Sequence, residues 1–422
     1  MNLISPHTRS RQSGGAPVVG LCALILAASL LLVPGRAALG AETKLIPSIN
    51  AKQAYSDNIF FDTDNEDKKD DFTSTLTPGI ELTNKSERLD ARLKASFPLV
   101  YYADLSELNS VDQNYAGSLR YSLTERISTS LNGGFTRDSQ PDRDIDETGL
   151  VLGDTRRDRS SAGASVSYTL TEITSASLSY AYEKQRYEDP GYTNIESHSG
   201  FFSITHDLER LIPRTVGRLS LGATIYDFED SNVTNYSAML GAVYRITELF
   251  SVSADLGIRY TQSEFEVTEL VPVLPPFIYQ LKKTDREEED TGFVGRASLN
   301  YQDEYNSAAL SFYRDIATSG GRSGATERTS LVVDFGRRFF YELWGHISAG
   351  WYLNDSKNKD YSLSEINEET WRVTPYARYN FTRDLSLEAS YTYTKVNYKT
   401  SDTSAERNLV FLRLVYQMPF LL

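Results

Sequence analysis

The residues of this chain that could do chemistry are few. After residue 41 there are three histidines, His198, His206 and His346, and none stands at a metal-binding spacing from another. Asp62-x-Asp64-x-Glu66 has the opening rhythm of a calcium loop. It lacks the glycine at the sixth place and the glutamate at the twelfth, so it reads as an acidic, solvated loop with weak divalent-ion binding at most. No Ser/His/Asp or Cys/His nucleophile arrangement can be assembled, and His346, on a polar row near Asp334, is the only remote candidate for acid–base work. The expectation is a non-catalytic protein with no cofactor and no metal.

A different pattern carries more information. In stretches where apolar and polar residues alternate, the polar row carries Arg92, Lys94, Arg120, Arg218, Arg245, Arg259, Arg296, Arg372, Arg378 and Arg413. Facing them in the same rows are Asp90, Asp255, Asp334 and Glu388. The guanidinium stays charged and presents a planar fork that suits carboxylates. If the apolar rows face lipid, these side chains line a water-filled interior with a surplus of positive charge, and such a lining favours anions. The competing reading is that arginines and acids pair only to keep the interior wet and rigid.

Strands must position such rows, because only a strand sends alternate side chains to opposite faces. The last stretch, Asn408–Leu422, is the clearest. Leu412, Leu414, Tyr416, Met418, Phe420 and Leu422 form an apolar row, with Arg413, Val415, Gln417 and Pro419 between them. An apolar terminal strand is an aggregation hazard unless its edge is paired. About eighteen segments alternate in this way, from 46–61 to 407–420. Short connections, as at Thr124–Arg126, Thr247–Leu249 and Thr382–Asp384, alternate with long ones at Asp62–Asp70, Gln140–Asp158, Thr268–Thr291, Thr318–Ala325 and Asn354–Glu368. That beat predicts an all-β fold, an antiparallel up-and-down barrel over 42–422 with both termini on the short-turn side. Gln140–Asp158 is long enough to fold inward. The apolar, proline-rich Leu270–Tyr279 could plug the mouth, lie on the outer leaflet or a partner, or move freely.

The short turns carry a repeat: Tyr121-Ser-Leu-Thr-Glu125, Tyr168-Thr-Leu-Thr-Glu172, Tyr244-Arg-Ile-Thr-Glu248 and Tyr379-Asn-Phe-Thr-Arg383. The tyrosine suits the membrane interface and the charge suits the water beyond it.

Composition and address agree. Arg9 and Arg11, an apolar run from Val18 to Val33 and small residues to Ala41 have the order of a secretory signal, giving 1–41 as a signal peptide. The one cysteine, Cys22, lies inside it, so the exported chain has no disulfide to staple it. A net charge of -14 disfavours nucleic acid, and the 27 tyrosines suit strands at a membrane interface.

Tyr55-Ser-Asp-Asn-Ile59 and Leu76-Thr-Pro-Gly-Ile80 resemble the β-barrel porin family associated with exopolysaccharide loci, and the strand rhythm carries that likeness along the exported chain. The arginine-lined interior looks like that of the alginate export barrel, although no motif matches that barrel residue by residue. The resemblance implies an outer-membrane channel of a Gram-negative bacterium for export of an anionic exopolysaccharide. The implied partners are outer-membrane lipid and lipopolysaccharide, the polymer, the barrel assembly machinery through the C-terminal strand, and a separate periplasmic scaffold or export protein. Two other readings stand beside it: a passive diffusion porin for small solutes, and a structural or adhesive barrel.

Overall fold

The computed structural model describes residues 42–422 apart from 152, 230, 275–277 and 357–364, and gives backbone alone over most of 267–282. The expected signal peptide, residues 1–41, lies outside the described residues. In chain order the strands are β1 Glu42–Ser56, β2 Asp71–Lys85, β3 Leu89–Ser96, β4 Leu99–Tyr102, β5 Ser110–Val111, β6 Gln113–Ser122, β7 Ile127–Asp138, β8 Arg157–Thr171, β9 Thr174–Tyr187 and β10 Ile195–Asp207. They continue as β11 Thr215–Phe228, β12 Ser231–Arg245, β13 Phe250–Leu274, β14 Ile278–Gln302, β15 Asn306–Thr318, β16 Ala325–Arg338, β17 Leu343–Asp355, β18 Asn367–Asn380, β19 Leu385–Tyr398, β20 Thr403–Gln417 and β21 Phe420–Leu421. β3 with β4, β5 with β6, and β20 with β21 are interrupted staves, so the wall has eighteen staves.

Each stave is antiparallel to its neighbours in chain order. The wall closes where β1 meets β20, from Ser48↔Gln417 to Ser56↔Leu409. The edge that looked hazardous in sequence is thus paired, and closure satisfies backbone groups that lipid could not. Leu412, Leu414, Tyr416, Met418 and Phe420 are exposed on the outside, as are Leu178, Leu221, Leu240, Leu256 and Ile258 elsewhere round the wall. A closed wall with so much exposed apolar surface is the architecture of an outer-membrane barrel.

The repeat at the short turns has a specific structural use. Thr124 Oγ1 accepts from the amides of Arg126 and Ile127, at 3.2 and 3.0 Å. Thr247 does the same for Leu249 and Phe250, and Thr382 for Asp384 and Leu385. A hydroxyl that satisfies two turn amides explains why threonine recurs there.

The motif Tyr55–Ile59 also does local work. Asn58 is fully buried. Its Oδ1 accepts from the Asp62 amide at 2.8 Å, and its Nδ2 donates to the carbonyls of Asp62 at 2.8 Å and Glu406 at 3.1 Å. It ties the first long connection to the last strand at the seam of closure. Asp64, Glu66 and their neighbours are engaged within the same loop: Glu66 caps Thr63, and Asp64 pairs with Lys68 at 2.9 Å.

One expectation is corrected. Thr268–Thr291 is not a loop. β13 and β14 continue to pair from Glu266↔Asp285 to Leu274↔Ile278, past Ser231↔Phe265, the last partner that β12 supplies. Prolines and the run Arg286-Glu-Glu-Glu-Asp290 suggested a loop. Charged residues are in fact well suited to a projecting two-stranded ribbon, whose edges must resist further pairing. The side chains of Leu270–Tyr279, the expected plug, lie outside the described residues.

Candidate functional site: a partitioned lumen

The connection after β7 folds into the barrel. It holds a short helix, Ile145–Thr148, whose C-cap Gly149 has φ +69°. Ile145 and Leu150 have no exposed surface, although both lie in a connection. Ile145 packs with Val396 and Ala405 of the wall and with Phe61 of the first long connection, near the closure seam. A loop cannot bury its backbone without partners, and strands β17 to β20 supply them. The Tyr352 hydroxyl donates to the Asp146 carbonyl at 2.6 Å, Asn354 Nδ2 to the Thr148 carbonyl at 2.9 Å, and Thr370 Oγ1 to the Gly149 carbonyl at 2.5 Å. Two ion pairs add to these: Arg407 Nη2 to Asp142 at 2.5 Å and Arg372 Nε to Asp146 at 2.5 Å. A Cβ on Gly149 would stand 2.3 Å from Tyr352 Cβ, so this contact with the wall requires glycine.

The near end is fixed as firmly. Arg157, at the start of β8 and nearly fully buried, binds Asp138 at 3.0 Å and also bonds Asp144. Arg143 lies 3.4 Å from Asp138 and donates to the Thr155 carbonyl at 2.7 Å. The loop therefore crosses the lumen as a strut held at both ends.

The strut separates two sets of lining residues. On one side Gln140 and Arg143 face a chamber of about 330 Å³ walled by β1, β2, β3, β6, β7 and β20. On the other, Asp144, Glu147 and Thr148 face one of about 470 Å³ walled by β8 to β11, β15 and β16. A further cavity of about 680 Å³ holds Arg218, Asp255 and Arg296 among the serines Ser179, Ser203, Ser220, Ser253, Ser298 and Ser311.

A second inward element is the tip of the β15–β16 hairpin. The β14–β15 ladder stops at Gly295↔Arg314, and β15 goes on with β16 alone to Thr318↔Ala325. Ile316 and Ala325 pack with Ile195, Phe228 and Val233. Asn235 donates to Asp315 at 3.3 Å, and the Thr193 amide to the Gly321 carbonyl at 2.7 Å. The hairpin tip thus leans against β10 to β12.

The ten basic residues singled out in sequence are placed as follows. Arg413 lines the first chamber and bonds Glu388 at 2.5 Å. Arg378 is 3.9 Å from the same carboxylate. Arg218 binds Asp255, and Arg296 lies over the Tyr313 ring at 5.7 Å. Arg372 holds the strut. Arg259 is buried between Asp290, at 2.6 Å, and Glu327, at 3.0 Å. Arg92 pairs with Glu81 at 3.1 Å. Lys94, Arg120 and Arg245 are exposed, the last two at the short-turn ends of β6 and β12. The partners Glu81, Asp290, Glu327 and Asp146 did not figure among the four acids counted in the sequence. His346 does meet Asp334, at 3.3 Å, and stacks on Trp344 with ring centres 5.3 Å apart.

Sequence reasoning missed the loop cations Arg143 and Arg322, and Lys52, Arg157, Arg159, Arg328 and Arg407 on the strands. Alternation alone could have flagged Arg407, which shares the row of Arg413. Arg322, in the inward hairpin tip, pairs with Glu368 on β18 at 2.5 Å.

No family model and no curated protein sequence matches the chain. Among solved structures, the chain is similar to OccAB4 of Acinetobacter baumannii, with a TM-score of 0.47 and 10% identity over 91% of this chain and 100% of that one. It is also similar to the outer membrane protein opdK of Pseudomonas aeruginosa, with a TM-score of 0.44 and 12% identity over 90% and 99%. OpdQ of Pseudomonas aeruginosa gives 0.46 and 10% identity over 90% and 98%.

Proposed function

We propose that this protein is an outer-membrane channel for diffusion of small polar solutes, with charged side chains on the strut and the wall setting its selectivity. The observation that carries the reading is the strut. It replaces a wide bore with chambers of about 330 and 470 Å³, which suit molecules of a few to some twenty heavy atoms. Eighteen staves without such a strut would enclose a broad aqueous channel. The basic row Arg92, Lys94, Arg120, Arg218, Arg245, Arg259, Arg296, Arg372, Arg378 and Arg413 belongs to this route as its wall, most of it held by carboxylate partners.

The export of a polysaccharide is the weaker alternative. A polymer would have to displace a strut that is held by two ion pairs and three hydrogen bonds at its far end alone. Nothing in the geometry favours a filled, purely structural barrel over a channel, since the chambers are lined by polar groups. The test is swelling of proteoliposomes in isosmotic sugars. Arabinose should enter and a tetrasaccharide should not. No arabinose entry, or equal entry of both, would overturn the proposal.

A further inference from the structure

The first chamber contains polar groups that the fold itself leaves unused. Lys52, on β1, lines it; among the described residues its ammonium makes no close ion pair or hydrogen bond, lying 5.8 Å from the centre of the Phe411 ring and acting only at longer range on Asp142, which Arg407 already holds. Asn50 Oδ1 and Thr75 Oγ1 are buried in the same chamber without a hydrogen-bond partner among the described residues. So is Nη2 of Arg143 on the strut. Buried polar groups are nearly always satisfied, and leaving one unmade is costly. Three such buried groups, with the Lys52 ammonium beside them, imply that something else completes them. In contrast, Arg413 at the chamber wall is already occupied by Glu388.

The unused set has a definite chemistry. Lys52 and Arg143 Nη2 are cationic donors, and together they match a carboxylate. Asn50 Oδ1 is an acceptor, and Thr75 Oγ1 can accept as well, so a ligand bearing hydroxyl or amino donors would satisfy both. Asp112, on the same wall, offers a further acceptor. We propose that this chamber is a binding station for small carboxylic acids that carry hydroxyl or amino groups. It deepens the channel reading and rests on it only for how the ligand arrives.

Equilibrium binding to the full chain in detergent tests it without requiring transport. D-glycerate and its neutral counterpart glycerol are followed by saturation-transfer NMR. Wild type should bind D-glycerate saturably and glycerol not at all. Lys52→Met should weaken glycerate binding about tenfold, as expected for losing one charged hydrogen bond. Thr75→Val, nearly isosteric, should weaken it about threefold, and gives a second readout should Lys52→Met fail to assemble as a heat-modifiable barrel. Absence of saturable glycerate binding, equal binding of glycerol, or undiminished binding by the assembled variants would overturn the station. Arabinose swelling separates the two claims. Swelling without glycerate binding removes the station alone, and glycerate binding without swelling removes the channel alone.

Discussion

Arg407 and Asp142, 265 residues apart in the chain, are joined by a 2.5 Å hydrogen-bonded ion pair. The Arg407 guanidinium also lies 4.2 Å from the centre of the Phe61 ring. One side chain therefore holds the strut to the last full strand and packs against the first long connection. Removing the acid leaves the cation buried without its partner. Breaking such a pair costs on the order of 3 kcal/mol. Asp142→Asn is expected to loosen the strut and raise the size limit in liposome swelling, so that a trisaccharide excluded by wild type enters. An unchanged size limit would remove the strut from its role as the constriction.

The same carboxyl sets a pH window. Burial works to raise its pKa, but the charge of Arg407 and the hydrogen bond from it outweigh burial and hold it at about 2. A group with a depressed folded pKa stabilises above its ordinary pKa and loses that contribution as pH falls toward the folded value. Docking of the strut should therefore be indifferent to pH from 8 to about 4 and weaken only below that. Single-channel conductance against pH checks this, and a step in conductance near neutral pH that Asp142→Asn abolishes would contradict it.

The turn threonines give a stability prediction. Thr247→Val removes an acceptor from two amides at a water-exposed turn. The cost should be about 1 kcal/mol, because water takes over part of the bonding. A lowered unfolding temperature in a heat-modifiability series, matched by Thr382→Val, is the expected result.

Asn58 predicts a larger effect from a single neutral residue. Asn58→Ala would strand the Asp62 amide and the Glu406 carbonyl, at about 1–3 kcal/mol. The connection over 62–70 should become a protease site in intact cells while the barrel remains heat-modifiable. Resistance equal to wild type would show that the closure seam does not depend on it.

The two faces of one strand should answer differently to the same change. Leu414→Arg places a charge on the lipid face, which costs about 2–4 kcal/mol near the bilayer midplane. Leu409→Arg, on the row of Arg407 and Arg413, faces the interior and should assemble far better. The yields of heat-modifiable barrel compare them.

Much of this architecture was legible because a barrel is written locally. Period-two alternation fixed which side chains of β20 meet lipid, and Thr124, Thr247 and Thr382 marked turns whose hydrogen bonds are all within four residues. The projecting ribbon was misread for a reason of the same kind. Proline and charge are loop signals in most settings, and a solvent-exposed ribbon uses them to stay unpaired at its edges.

The interior was not written that way. By itself the sequence determined the staves of the wall and the row on which Arg92, Arg218 or Arg413 stands, since each depends on a residue and its neighbours two places away. Only the tertiary structure decided what fills the wall. The strut depends on Asp142 meeting Arg407, Asp146 meeting Arg372 and Gly149 meeting Tyr352, pairs more than two hundred residues apart. No periodicity encodes such pairs, because they come together only when closure brings the first and last strands side by side.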